Sequence, residues 1–86
     1  MNFQQEIRQF VIDNFLFGRE GQLSNADSFL ENGIIDSTGV LELISFIEEH
    51  FGLKLAENEL TPDNLDSIDK ATALVARRLA ARQGAT

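Results

Sequence analysis

One stretch limits the fold of this chain more than any other: the run from Val40 to Phe51, opened by Gly33-Ile34-Ile35-Asp36-Ser37-Thr38-Gly39. Val40, Leu43, Ile44, Ile47 and Phe51 recur at the i, i+3/i+4, i+7 spacing of an amphipathic helix. Asp36 stands where a carboxylate can accept the unpaired N–H groups of a first helical turn. Ser37 then falls on the first helical residue. At about 100° per residue, the apolar residues centre about 70° from Ser37, so its hydroxyl lies near the edge of the core and can face water. An amphipathic helix this short needs partners, and the rest of the chain has to supply them.

The same spacing recurs on both sides. Phe3, Ile7, Phe10, Val11 and Phe15 fit one face of a helix from Asn2, a candidate N-cap, to Phe17, with Gly18 as its stop. From Gly18 to Asp36 the chain is rich in turn formers, and Phe29, Leu30, Ile34 and Ile35 are expected to anchor this long loop in the core. Ser28 to Glu31 has room for one helical turn. Gly52 can end the central helix in the left-handed conformation, and Leu53-Lys54-Leu55 alternates like a short extended piece with no strand to pair with. Thr61-Pro62-Asp63 starts a short helix, with a capping hydroxyl and proline at the first position. A last helix from near Ser67 would bury Ile68, Ala71, Thr72, Val75 and Leu79. Asp66 and Asp69 complement the positive end of its dipole, and Arg77, Arg78 and Arg82 the negative end; Gln83 to Thr86 should fray. The expected fold is all-α: a small four-helix bundle of three main helices plus one short one, with a long first loop. Residues 1–86 are expected to form a single domain.

Composition narrows the chemistry. The chain has no cysteine, which excludes disulfides, thiolate metal sites and a cysteine nucleophile. With seven phenylalanines and no Trp or Tyr, most of the bulk is expected to be buried as plain hydrocarbon. A formal charge of −7 repels phosphate backbones, so nucleic acid is not expected as a partner, and it suits a basic docking face on another protein. No apolar run approaches membrane-spanning length. No basic region followed by a hydrophobic stretch marks a signal peptide, so a cytoplasmic monomer is expected.

Independent catalysis is not expected. The single histidine, His50, lies thirteen residues beyond Ser37 on the same helix. That is roughly 20 Å along the axis, too far for a Ser–His pair. No Gly-x-Ser-x-Gly elbow surrounds Ser37. His50 is read as a solvated residue at a helix C-terminus, where positive charge is favourable. Asp63, Asp66 and Asp69 lack the spacing of a calcium loop and are read as helix caps, so no metal is expected. Glu42 and Glu49 lie about 20° apart, opposite the core, and Glu48 is close to the line of Ser37.

Gly-x-x-Asp-Ser-x, opening a helix that carries Glu42, Glu48 and Glu49 and leaves through Phe51-Gly52, closely resembles the attachment site of acyl carrier proteins. The resemblance extends over nearly the whole chain in length, acidity and order of segments. It implies that Ser37 is esterified with phosphopantetheine from coenzyme A by a phosphopantetheinyl transferase, and that the arm carries its cargo as a thioester. Asp36 would cap the helix or help the transferase bind its metal. Thr38, Leu41, Glu42, Ser45, Glu48 and Glu49 would meet partners: the transferase, an acyl- or aminoacyl-loading ligase or transferase, and downstream enzymes with basic docking surfaces. Common fatty-acid carriers read Asp-Ser-Leu, where Thr38 stands here, and often carry Met where Ser45 stands. This more polar face suggests a dedicated carrier in a specialised lipid or secondary-metabolite pathway. The alternatives are an aminoacyl or peptidyl carrier with the same arm, and an unmodified helical interaction module.

Overall fold

The computed structural model describes residues 2–16 and 23–84, the last three of them as backbone. Phe17, Gly18, Gly21 and the side chain of Arg82 lie outside the described residues. Helix α1 is Phe3–Val11, and Asn2 caps it by accepting the Gln5 N–H at 3.0 Å. The chain then continues as one π-helical turn, Ile12–Leu16. This wider turn rotates the buried face: Ile7 and Val11 are inside, as the spacing requires, and so are Ile12 and Leu16. Phe15 is left half-buried, where an unbroken α-helix would have placed it on the core face.

Helix α2 is Ser37–Phe51, with Leu43 and Ile47 fully buried and Gly52 closing it at φ 66°. Helix α3 is the single turn Pro62–Leu65. The Thr61 hydroxyl expected to cap α3 makes no such bond; the backbone carbonyl of Thr61 accepts from Leu65 at 3.1 Å instead. A 3-10 turn at Glu57–Glu59 precedes α3. It is held by Glu59 Oε1, which accepts the Ala56 N–H at 2.7 Å.

Helix α4, Ile68–Gly84, packs against α1 and α3. Ser67 caps it from inside the core, its hydroxyl accepting the Lys70 N–H at 3.0 Å. The buried face runs through Ile68, Ala71, Leu74 and Val75, while Thr72 and Leu79 are only half-buried. Two neighbours on different sides turn the buried arc toward Leu74, which a single apolar stripe had missed. The helix includes Gln83 and Gly84, and Ala85 and Thr86 of the terminus expected to fray lie outside the described residues. The described residues contain no strand, so the fold is a small all-α bundle.

The first loop is fastened at several points. Leu23, Phe29 and Ile35 are buried. Arg8 donates to the Leu23 carbonyl and to Asn25 Oδ1, both at 2.8 Å, and the Asn25 carbonyl accepts the Asp69 N–H at 3.0 Å. Leu30, expected as an anchor, is 46% exposed, and Ile34 is half-buried. One closed turn at Ser28–Asn32, its Asn32 N–H donating to the Ser28 carbonyl at 3.1 Å as in a single helical turn, directs Phe29 inward and Leu30 outward.

The phenylalanines also depart from expectation. Among the described residues only Phe29 is fully buried. Phe3, Phe10, Phe15, Phe46 and Phe51 form a half-buried aromatic seam between α1 and α2. Phe10 and Phe46 are stacked at 4.2 Å between centroids, and Phe3 meets Phe51 edge-on at 5.5 Å. A core this small is filled by aliphatic side chains, and the rings cover its flank.

Candidate functional site

Ser37 is exposed on the first residue of α2. The helix start is fixed from both sides. Asp36 Oδ1 accepts the Gly39 N–H at 2.7 Å, the charge-assisted cap foreseen from sequence. Gly39 is buried, and a Cβ on it would stand 2.8 Å from Ile35 Cγ2 and 2.8 Å from Phe15 Cε1. The absence of that side chain lets the first turn of α2 lie directly on the loop and the end of the π turn. Ser37 thus stands at a helix start held by its neighbours, at the positive end of the helix dipole.

Next to Ser37 lies a groove of about 190 Å³. Its walls are Leu30, Val40, Leu60, Pro62 and Leu65, with Thr61 and Asp66 at the margin. The large apolar side chains exposed among the described residues are Leu30, Leu41 and Leu60. Leu30 and Leu60 line this groove, so the exposure that broke the loop-anchor expectation belongs to the site.

Asp66 holds one wall in place. It was read as a helix cap, but its carboxylate accepts the Ser28 hydroxyl and the Leu30 N–H, the latter at 3.0 Å, while its carbonyl accepts the Phe29 N–H at 2.8 Å. The segment before α2 is thereby clamped to the joint between α3 and α4. Asp69 likewise bonds Gln4 Nε2, at 2.8 Å. No group among the described residues has the donors of a metal site. Sequence gave no signal for this clamp, since its partners are 36 and 38 positions apart.

The other residues expected at the site lie along α2. Thr38, Glu42, Ser45 and Glu49 are exposed, and Leu41 is 63% exposed. Glu48 is half-buried, with Oε2 accepting the Leu55 N–H at 2.9 Å, so one of its oxygens is committed inside the fold. His50 is exposed at the end of α2, as expected. Its Nε2 lies 3.0 Å from Glu6 Oε1, a contact from α2 to α1, and its ring stacks on Phe46 of the same helix at 4.8 Å. An exposed hydroxyl at a helix N-terminus can take a phosphodiester, whose negative charge is favourable there.

No family model matches the chain. The chain is 35% identical to the D-alanyl carrier protein of Abiotrophia defectiva over 51 residues, 59% of this chain and 65% of that protein. It therefore spans just under two thirds of that relative. It is 23% identical to the probable acyl carrier protein PigG of a Serratia strain over 74 residues, 86% of this chain and 85% of that protein. Both relatives are named as carrier proteins.

Proposed function

We propose that this chain is a carrier protein that receives phosphopantetheine on Ser37 and presents acyl intermediates as thioesters. The observation that carries the proposal is the capped, exposed Ser37 beside an apolar groove, in a chain similar to carrier proteins along most of its length. Attachment forms a bond from Ser37 Oγ to the pantetheine-side phosphorus of coenzyme A as the bond from that phosphorus to the bridging oxygen of the diphosphate breaks; adenosine 3′,5′-bisphosphate leaves, and the hydroxyl proton goes to a base of the transferase. The bound arm supplies a thiol that carries cargo as a thioester. The chain itself fixes the hydroxyl's position through Asp36 and Gly39, and offers exposed α2 residues to partners. It performs no catalysis of its own. No described helix is long and apolar enough to cross a membrane.

A second reading has its own support. The likeness to a D-alanyl carrier protein favours an aminoacyl group as cargo, on the same arm and serine. Mass spectrometry tests both. Incubation with coenzyme A and a broad-specificity phosphopantetheinyl transferase should add one arm to the native protein and none to Ser37→Ala. The thioester found on protein isolated from its native cell then separates acyl from aminoacyl cargo. No addition with several transferases overturns the carrier reading in favour of an unmodified interaction module.

A further inference from the structure

At the other end of α2 from Ser37, a cleft of about 640 Å³ opens where α1, α2 and α4 meet. His50 and Phe51, its α2 residues, lie roughly 20 Å along the helix axis from the serine. Phe3 and Phe51 supply aromatic walls, their rings edge-on at 5.5 Å. Leu79 adds an aliphatic wall from α4. The space is open because α4 places Ala76 and Ala80 here, both exposed and neither reaching past Cβ. Glu6 and His50 complete the lining, which contains no Lys or Arg. A concave site between the helices of a bundle, mostly apolar with a polar group or two, is the usual form of a small-molecule pocket.

The Glu6 carboxylate is short of partners. Its Oε1 lies 3.0 Å from His50 Nε2. Its Oε2 is shut away from water and accepts no hydrogen bond among the described residues. A carboxylate has about four acceptor positions, so one ring nitrogen leaves its charge poorly compensated. The side chain is still 35% exposed, so a cation in the cleft can approach it.

These features select an occupant. An anion would meet Glu6 in a chain of formal charge −7. A plain hydrocarbon would bury the carboxylate further and leave it unpaired. A second copy seated symmetrically would bring its own Glu6 to the same place. A compact aromatic amine meets both demands. Its ring packs on Phe3 and Phe51, and its ammonium donates a charge-assisted hydrogen bond to the carboxylate.

We propose that this cleft binds small arylalkyl amines, with Glu6 as the residue that anchors the ammonium. The site is separate from Ser37 and does not depend on arm attachment. The test titrates the full, isotope-labelled chain with 2-phenylethylamine, followed by chemical shifts and by thermal melting. Saturable shifts should centre on Phe3, Glu6, His50, Phe51 and Ala76. The melting temperature should rise, as it must for a ligand held only by the folded chain. Binding should weaken about tenfold in Glu6→Gln, which keeps the length of the side chain and removes its charge. It should vanish in Ala76→Leu, which fills the cleft from an exposed position with little change in helix propensity. The proposal is overturned by absence of saturable shifts, by unchanged binding in either variant, or by equal binding of 2-phenylethanol, which lacks the charge. Shifts centred on Leu30 and Leu60, in the groove beside Ser37, overturn it as well. Equal binding of N-acetyl-lysinamide, which has the charge without the ring, would assign the cleft to a partner's lysine side chain and overturn it. Shifts that grow with protein concentration in the absence of amine would assign it to a second copy, with the same consequence.

Discussion

Gly39 shows how one missing side chain positions another. Alanine is the better helix former by up to about 1 kcal/mol. Here its Cβ would meet two side chains at 2.8 Å, the buried Ile35 and the half-buried ring of Phe15, and overpacking of this kind costs about 1–3 kcal/mol. Overpacking should win, so Gly39→Ala should lower the denaturant midpoint despite its propensity. It should also slow arm attachment by displacing the turn that displays Ser37. A variant more stable than the parent would show that the corner has room. Ser37→Ala should do the opposite: no arm, and a stability near that of the native protein, because the residue is exposed and Asp36 still caps Gly39. Circular dichroism melting alongside mass spectrometry separates the two effects.

Between elements, burial and clamping make different demands. Ile47 is fully buried in α2, and Ile47→Ala should cost about 2–5 kcal/mol by transfer and cavity terms together. In a domain with about 5–8 kcal/mol in hand, equilibrium denaturation would register this as a severe loss; a change under about 0.5 kcal/mol would mean that the helix buries another face. Asp66→Ala acts on the clamp instead. The Leu30 N–H loses its carboxylate acceptor, whereas the Phe29 N–H keeps the backbone carbonyl of residue 66. Amide exchange should therefore accelerate at Leu30 and change little at Phe29, with a global cost of about 1 kcal/mol. Equal acceleration at both would mean that the whole loop leaves together. The contrast also explains what the sequence could reveal. The period of α2, the Asp36 cap and the Gly52 exit are local, and a local pattern carries them. The Asp66 clamp, the inward Leu23 and the outward Leu30 depend on contacts far apart in sequence. The rotation of the buried face after Val11 depends on a π turn that no spacing announces. The exposed place of Ser37 at the start of α2 was legible because its surroundings are helix-start chemistry; the apolar groove beside it was not, because its walls come from separate elements.

At the scale of the whole molecule, charge and the α2 surface together should decide which partners are served. Glu42 and Glu49 are exposed on the side of α2 away from the core, in a chain of formal charge −7. Glu42→Lys with Glu49→Lys reverses two charges without touching Leu43 or Ile47. Arm attachment or loading should slow mainly through weaker association, read as a higher KM with little change in kcat. The defect should shrink as salt screens the contacts. Thr38 and Ser45 should act on specificity rather than attraction. Both are exposed polar residues where apolar contacts would suit a general fatty-acid enzyme, so such an enzyme should process the arm-bearing protein poorly. Thr38→Leu with Ser45→Met should improve it. The deciding measurement is loading by a general malonyl transferase at two ionic strengths, with the native protein and both double variants side by side. Efficient loading of the native protein, unchanged by either pair of substitutions, would show that partner choice is made elsewhere on the molecule.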